Sequence, residues 1–432
     1  MLGTTLAILL ALLVLAVPVA ATLGVLGIAL DHIYADGRLL IGMGDTIWQN
    51  AISAILVAVP MFIMLGEILL RAGIADRMYN AMSKWLAWLP GGNMHANIGS
   101  CALFAASSGS SVATAATVGV VAMPEIERRG YNERLFLGTI AAGGTLGILI
   151  PPSINLIIYG LLTNSSVPQL YLAGFIPGFI LASLFALTVL VSCIIRPEWG
   201  GTPIDFKFSE CIRTLPDLAP PVLIFMVVVG SIYAGWATPT EAASLGVVAS
   251  LVLAAFNRSL NFKMLSEVFE GTMKTSAMVM LIILAAVFLN FALAQIGLTK
   301  KLTDFVVNLG LSPTETMVAI IIFYIVLGCF METLSMMLTT TPLIFPIVQH
   351  LGYDPVWFGI VQTILMEAAL ITPPVGVNLY VVHGVRNGRG TIGDVIIGAM
   401  PFVVSMFLLI VMLMFWPELA LWLPRLIMGT VG

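Results

Sequence analysis

From Leu170 to Ile195 the chain carries no charged residue. A helix crosses about 30 Å of hydrocarbon in about 20 residues, so a run of this length belongs in a bilayer. Eight more stretches qualify, roughly 2–30, 46–70, 135–162, 217–235, 240–256, 276–298, 356–382 and 392–424. Only 9% of residues are charged and 59% are hydrophobic, where soluble domains carry about 25% charge. Too little polar surface exists to coat a water-soluble particle. A polytopic all-α membrane protein follows, and a soluble enzyme or a disulfide scaffold is excluded. Net charge is −4 with no basic run, which leaves no electrostatic footprint for nucleic acid. The four cysteines stand singly and the four histidines form no HExxH, so a transition-metal site is not expected. No Gly-Lys pair occurs, so there is no Walker A loop and no built-in ATP motor. The apolar N-terminus has no Lys or Arg before Arg38, unlike a cleavable signal peptide.

Two further apolar regions, 94–124 and 314–348, are too long for one simple helix and too short for two crossings. Lys and Arg mark cytoplasmic loops. Arg71, Arg77 and Lys84 precede the first region and Arg128, Arg129 and Arg134 follow it, so it leaves and returns on the cytoplasmic face. Arg196, Lys207, Arg213, Arg258, Lys263, Lys274, Arg386 and Arg389 mark later cytoplasmic segments, which puts both ends of the second region outside. Lys300 and Lys301 run against the trend. Both regions are expected to be re-entrant helical hairpins. Segments 74–89 and 298–311 read as interfacial amphipathic helices on opposite faces, a pair that suits a fixed scaffold around a moving core.

The chain also repeats itself. Pro124, Gly130 and Tyr131 return 222 positions later as Pro346, Gly352 and Tyr353, and Pro151-Pro152 returns as Pro373-Pro374. Thr-Leu-Gly-Val at 22–25 returns as Ser-Leu-Gly-Val at 244–247, and Asn155 returns one residue late as Asn378. The expected division is a first unit over 1–195, a linking segment 196–239 with one crossing, and a second unit over 240–432. A single linking crossing inverts the second unit, the architecture of secondary transporters. Two equivalent halves facing opposite ways give two conformations of similar energy, one open to each side.

Backbone that is not helical at membrane depth must be satisfied by protein, water or an ion. This chain breaks its helices at matched places. Ser107-Ser108-Gly109-Ser110-Ser111 lies mid-hairpin, and Gly143-Gly144-Thr145-Leu146-Gly147 runs toward Pro151-Pro152. In the second unit, Glu332-Thr333-Leu334-Ser335 and Thr339-Thr340-Thr341 precede Thr372-Pro373-Pro374-Val375-Gly376. Each hairpin tip is expected to meet the broken helix of its own unit. Such junctions offer carbonyls and hydroxyls to a small cation and helix N-termini to an anion. No Lys, Arg or His lies deep in a span, so a carboxylate would rest on helix N-termini, hydroxyls such as Ser108 and Thr341, and Asn155 or Asn378. Three acids sit in apolar surroundings. Glu67, with Arg71 one turn on, reads as an interfacial pair, whereas Glu332 and Glu367 divide between a cation or proton role and structural pairing. Gly143/Gly147 and Gly174/Gly178 match GxxxG, a spacing that 40 glycines generate by chance.

The stretches SSGSSVATAATVG, GGTLGILIPPSINLIIYG, WATPTEAASLG, TTTPLIFPI and ITPPVGVNLYV resemble the large membrane subunit of the tripartite ATP-independent periplasmic (TRAP) transporters, in order and over essentially the whole chain. The resemblance implies a Na⁺-coupled importer of organic acids in a bacterial inner membrane, working by an elevator motion of a transport domain against a scaffold, with no cofactor beyond Na⁺ as coupling ion. It implies two partners, a small DctQ-like membrane subunit and a DctP-like periplasmic substrate-binding protein. No additional helical segment precedes the first repeat, so the small subunit is expected on a separate polypeptide. Family sodium sites would fall at Ser107, Ser110 and Ser111 with Gly144, Thr145 and Gly147, and at Glu332, Thr333 and Ser335 with Thr372 and Gly376. The alternatives are a stand-alone Na⁺-coupled anion symporter, a passive channel, which leaves the broken helices unexplained, and an intramembrane enzyme, for which no nucleophile–base set can be assembled.

Overall fold

A computed structural model describes residues 1–432 apart from 16, 87, 204–205, 387–389 and 430–432. Arg389, used above to orient the chain, lies outside the described residues. The chain is all helical. Its first half holds α1 (Leu2–Val14), α2 (Val19–Tyr34), α3 (Leu40–Ala51), α4 (Ala54–Arg71) and α5 (Ala75–Leu86). There follow α6 (Asn93–Ser108), α7 (Ser111–Arg129), α8 (Glu133–Thr145), α9 (Ile154–Thr163) and α10 (Val167–Ile195). Next come α11 (Phe208–Tyr233), α12 (Pro239–Phe256), α13 (Phe262–Gln295), α14 (Leu298–Asn308) and α15 (Pro313–Gly328). The last five are α16 (Thr333–His350), α17 (Pro355–Ile371), α18 (Val377–Val385), α19 (Ile392–Phe415) and α20 (Glu418–Met428). Among the described residues there is no β-strand, only an isolated bridge between Tyr131 and Gly200.

Of the nine stretches expected to cross, six lie on helices long and apolar enough to do so, α4, α10, α11, α12, α13 and α19. The other three are broken. Pro18 stands between α1 and α2, and each Pro-Pro pair, both with a cis peptide bond, interrupts its helix. Proline has no N–H to give and its ring collides with the preceding turn. Several boundaries move. The stretch 276–298 is the apolar end of a single 34-residue helix, α13, so Lys263 and Lys274 lie within a helix rather than a loop. The stretch 392–424 stops at Phe415 and resumes as α20. The regions 94–124 and 314–348 are helix–break–helix hairpins over 93–129 and 313–350, longer at both ends.

Helix starts recur at the offset of 222 because their caps recur. Asn132 caps α8 by accepting from Leu135 N, and Asp354 caps α17 by accepting from Val356 N and Trp357 N. Ser110 caps α7 and Glu332 caps α16. A side-chain oxygen at this position satisfies N–H groups that have no intrahelical partner. The halves interlock, with α2 lying on α13 and α4 on α12. Against lipid, close packing of small residues replaces the hydrophobic drive, and glycines mark the tightest crossings. A Cβ on Gly138 of α8 would stand 2.0 Å from Gly398 O of α19, and one on Gly398 would stand 1.8 Å from Arg134 O. The GxxxG pairs are also packing positions, contrary to expectation. A Cβ on Gly174 would meet Leu149 O at 2.6 Å and one on Gly178 would meet Ile150 at 2.8 Å, so α10 presses on the first Pro-Pro bend.

Candidate functional site

The first hairpin tip is the segment between α6 and α7. Gly109 takes φ +64° there, a left-handed turn that glycine adopts without cost. Its Cα approaches the Pro-Pro bend so closely that a Cβ would meet Pro152 O at 2.7 Å. A Cβ on Gly147 would meet the Ser110 backbone at 2.9 Å, and one on Gly144 would meet Ala115 at 2.7 Å. Ser111 Oγ donates to Thr145 O at 3.5 Å. Ser110 and Ser111 are thus gathered with Thr145 and Gly147, and Gly144 packs on α7 beside them, whereas Ser107 hydrogen-bonds within its own helix. Ser107 Oγ donates to Phe104 O at 2.8 Å, and Thr145 Oγ1 donates to Ala142 O at 2.7 Å. Ser108 shares a hydrogen bond with Thr114 at 3.3 Å between hydroxyls.

The second tip, between α15 and α16, has different chemistry. Glu332 Oε1 accepts from Leu334 N at 3.1 Å and Thr333 Oγ1 at 3.0 Å, and its Oε2 accepts from Ser335 N at 3.0 Å and Ser335 Oγ at 3.1 Å. The carboxylate closes the N-terminus of α16 with Thr333 and Ser335 folded onto it. The tip reaches its own bend through Val375 N, which donates to Cys329 O at 3.2 Å. Thr372 Oγ1 donates to Ala368 O at 2.7 Å, and Gly376 opens α18 with φ +42°. Glu367 is fully buried on α17, and neither of its oxygens has a hydrogen-bond partner among the described residues.

Both tips line one cavity of about 520 Å³. Ser108, Gly109, Ser110 and Ser111 form one side, Glu332, Thr333 and Leu334 another, and Asn155 of α9 stands between the two. The lining also includes Ile63, Gly66, Glu67 and Leu70 of α4 and Thr275, Met278 and Val279 of α13. Thr341 and Asn378 are not among the residues lining it. Thr341 Oγ1 accepts from Gln362 Nε2 at 2.7 Å, within a buried cluster that includes Tyr324 and Thr340. Asn378 Nδ2 donates to Ala141 O at 3.2 Å, tying α18 to α8. Asn155 and Asn378 each occupy the second position of their helix; the one-residue slip between them is the extra residue of the second bend.

Sequence reasoning missed one residue of this site and a polar cluster outside it. Glu67 does pair with Arg71, but it also lines the cavity, and its carboxylate lies where a Cβ on Gly271 would be, at 2.7 Å. The Tyr324–Gln362 cluster was not anticipated, although an uncharged polar residue deep in an apolar helix was the available signal. Among the described residues no three His, Cys, Asp or Glu side chains come together. The donors at the tips are carbonyl and hydroxyl oxygens and, at the second, the Glu332 carboxylate, all of which suit a hard cation.

Paired hairpins and paired broken helices closing on one cavity define a polytopic membrane transporter. The fold is similar to that of the Alcanivorax borkumensis YdaH transporter, with a TM-score of 0.62, 16% identity, and coverage of 95% of this chain and 99% of that one. Residues 6–419 match the family described as tripartite ATP-independent periplasmic transporter, DctM component, and the chain belongs to that family. It is similar to the C4-dicarboxylate TRAP transporter large permease of Vibrio cholerae, 30% identical over 97% of this chain and 96% of that protein. It is also similar to the C4-dicarboxylate large permease of Rhodobacter capsulatus, 34% identical over 86% of this chain and 87% of that one. The chain is therefore a TRAP transporter large permease subunit, a multi-pass protein of the inner membrane.

Proposed function

We propose that this permease couples an inward Na⁺ gradient to import of a small organic acid, handed to it by a periplasmic DctP-like binding protein and supported by a small DctQ-like membrane subunit. The observation that carries this reading is the convergence of both hairpin tips and the first Pro-Pro bend on one cavity. The C-terminal ends of α6 at Ser108 and α17 at Leu370 line that cavity, as do the N-termini of α7, α9, α16 and α18 at Ser111, Ile154, Thr333 and Val377. The first set suits Na⁺ and the second suits a carboxylate. Sodium is held at the first tip by Ser107, Ser110 and Ser111 with Gly144, Thr145 and Gly147, and at the second by Glu332, Thr333 and Ser335 with Thr372 and Gly376. The two units are inverted, 1–195 against 240–432 across the link 196–239. The hairpins are re-entrant, and they move with the broken helices as one body past α4 and α13, an elevator stroke.

The cavity wall supports that division of labour. The tips are locked to their bends by hydrogen bonds and glycine contacts, whereas the lining from α4 and α13 is mostly apolar, a surface past which a body can slide. The test is uptake into proteoliposomes holding both membrane subunits, with the cognate binding protein outside. Accumulation that needs the binding protein and collapses with the Na⁺ gradient is expected. Equal uptake without the binding protein, or without Na⁺, would overturn the reading.

A further inference from the structure

Four helices begin at the cavity, α7, α9, α16 and α18. Each start carries partial positive charge, but their occupancy differs. The start of α16 is closed by Glu332, whose two oxygens already accept four hydrogen bonds. The starts of α7 and α9 are capped by neutral hydroxyls, Ser110 accepting from Ala113 N and Ser153 from Leu156 N, each at 3.4 Å. The start of α18 has no side-chain cap. The two matched asparagines then separate α9 from α18. Asn378 is fully buried and its amide donates to Ala141 O. Asn155 is 4% exposed and lines the cavity, and its amide nitrogen, itself buried, has no partner among the described residues. A buried donor left unpaired costs about 1–3 kcal/mol, and an acceptor oxygen from a ligand would remove that cost.

The remaining lining gives this start its meaning. None of the described residues around the cavity is Lys, Arg or His. Its two carboxylates are Glu332 and Glu67, the latter paired with Arg71. The lining from α4 and α13 is apolar at Ile63, Leu70, Met278 and Val279. One part of the lining thus offers an unpaired donor to an anion, the Glu332 tip is the part the transport reading gives to Na⁺, and much of the rest is apolar. The geometry points to an acid with a single carboxylate as the transported solute. Its carboxylate accepts from the Asn155 amide at the start of α9, and its uncharged body lies along α4 and α13. A second carboxylate would find the equivalent amide, that of Asn378, turned away and donating to Ala141 O. This inference rests on the transport reading above and narrows it from organic acids to monocarboxylates, away from the C4-dicarboxylates named for two relatives.

The test uses the full chain, purified in nanodiscs in Na⁺ buffer, and follows its thermal stabilisation by matched acids. Butyrate and 2-hydroxybutyrate are set against succinate and malate, and gluconate against glucarate. The monocarboxylates are expected to stabilise at concentrations about tenfold lower or more, because a site built around one donor loses strongly when its partner is wrong. Asn155→Asp is expected to raise those concentrations by about tenfold and Asn155→Gln by less. Asn378→Ala lowers the melting temperature and keeps the ranking of acids. Succinate or malate matching the monocarboxylates overturns the inference, as does an Asn155→Asp protein with unchanged midpoints, or stabilisation by none of the six. The two readings fail separately. Na⁺-driven, binding-protein-dependent uptake of a dicarboxylate would leave the transport reading standing and remove this one. Uptake that needs neither Na⁺ nor the binding protein would remove the transport reading.

Discussion

The two hairpin tips occupy equivalent positions in the repeat and differ in charge. At the first, Ser108, Ser110 and Ser111 surround Gly109, and the cap of α7 is a hydroxyl holding one N–H at 3.4 Å. At the second, a carboxylate takes that place and gathers two N–H groups and two hydroxyls. The first tip is held by shape, since Gly109 and Gly147 leave room for the bend to come within contact distance. The second is closed on itself by charge-assisted hydrogen bonds, which are about twice as strong as neutral ones, and meets its bend through the Val375–Cys329 backbone bond. A pseudo-symmetric fold can therefore carry two chemically distinct junctions, and variants at equivalent positions should not behave alike.

The largest effect is expected where α8 and α19 press closest, beside the Arg134–Asp394 ion pair. Gly398→Leu puts side-chain atoms into the Arg134 carbonyl, a backbone collision that no rotamer relieves. Overpacking of this kind costs about 1–3 kcal/mol or more, and folded yield on size exclusion should collapse. The equivalent position in the first unit, Ile176, is half-buried, and Ile176→Leu should leave yield intact. Next comes the cap contrast. Glu332→Ala should lower stability by about 1–2 kcal/mol and Ser110→Ala by about 0.5 kcal/mol, following the range for lost caps. Thermal unfolding in one detergent compares them, and equal losses would erase the distinction between the tips. Asn378→Ala removes the link between α18 and α8 and should cost about 0.5–1.5 kcal/mol, leaving the Na⁺ dependence of uptake unchanged. Smallest in free energy are Ser111→Ala and Thr333→Ala. Each should raise the half-saturating Na⁺ concentration of uptake about two- to tenfold with little loss of folded yield. A Na⁺ curve that does not move in either variant would count against a cation at that tip.

The breaks were legible in the sequence because glycine, proline and clustered hydroxyls have few other uses inside an apolar run. Ser107–Ser111 and the Pro-Pro pairs fall where the helices stop. Helix lengths were less legible. A hydropathy window registers the apolar end of α13 but not its first three turns, where Lys263, Glu267, Glu270 and Lys274 sit on regular helix. Side-chain direction was least legible of all. Asn155 and Asn378 match in residue type and in helical position, yet one lines the cavity and the other is tied to Ala141 O. That difference comes from which neighbouring helix lies against each face, and periodicity carries no such information. Glu332 was marked correctly as unusual, but its use as a cap depended on the chain turning into α16 one residue later.

The length of α13 bears on how a solute leaves. At 1.5 Å per residue, 34 residues extend about 50 Å, well beyond the roughly 30 Å thickness of the oily layer. Its charged beginning must stand in the headgroup zone or in water. Glu267 there reaches Arg71 at 3.5 Å, and the next turns of the same helix, at Thr275 and Met278, already border the chamber between the tips. That ion-pair clasp ties α13 to α4 about two turns along α13 from the chamber, so in the proposed elevator stroke the two helices stay paired and the solute leaves with the tips, not by a parting of α4 from α13.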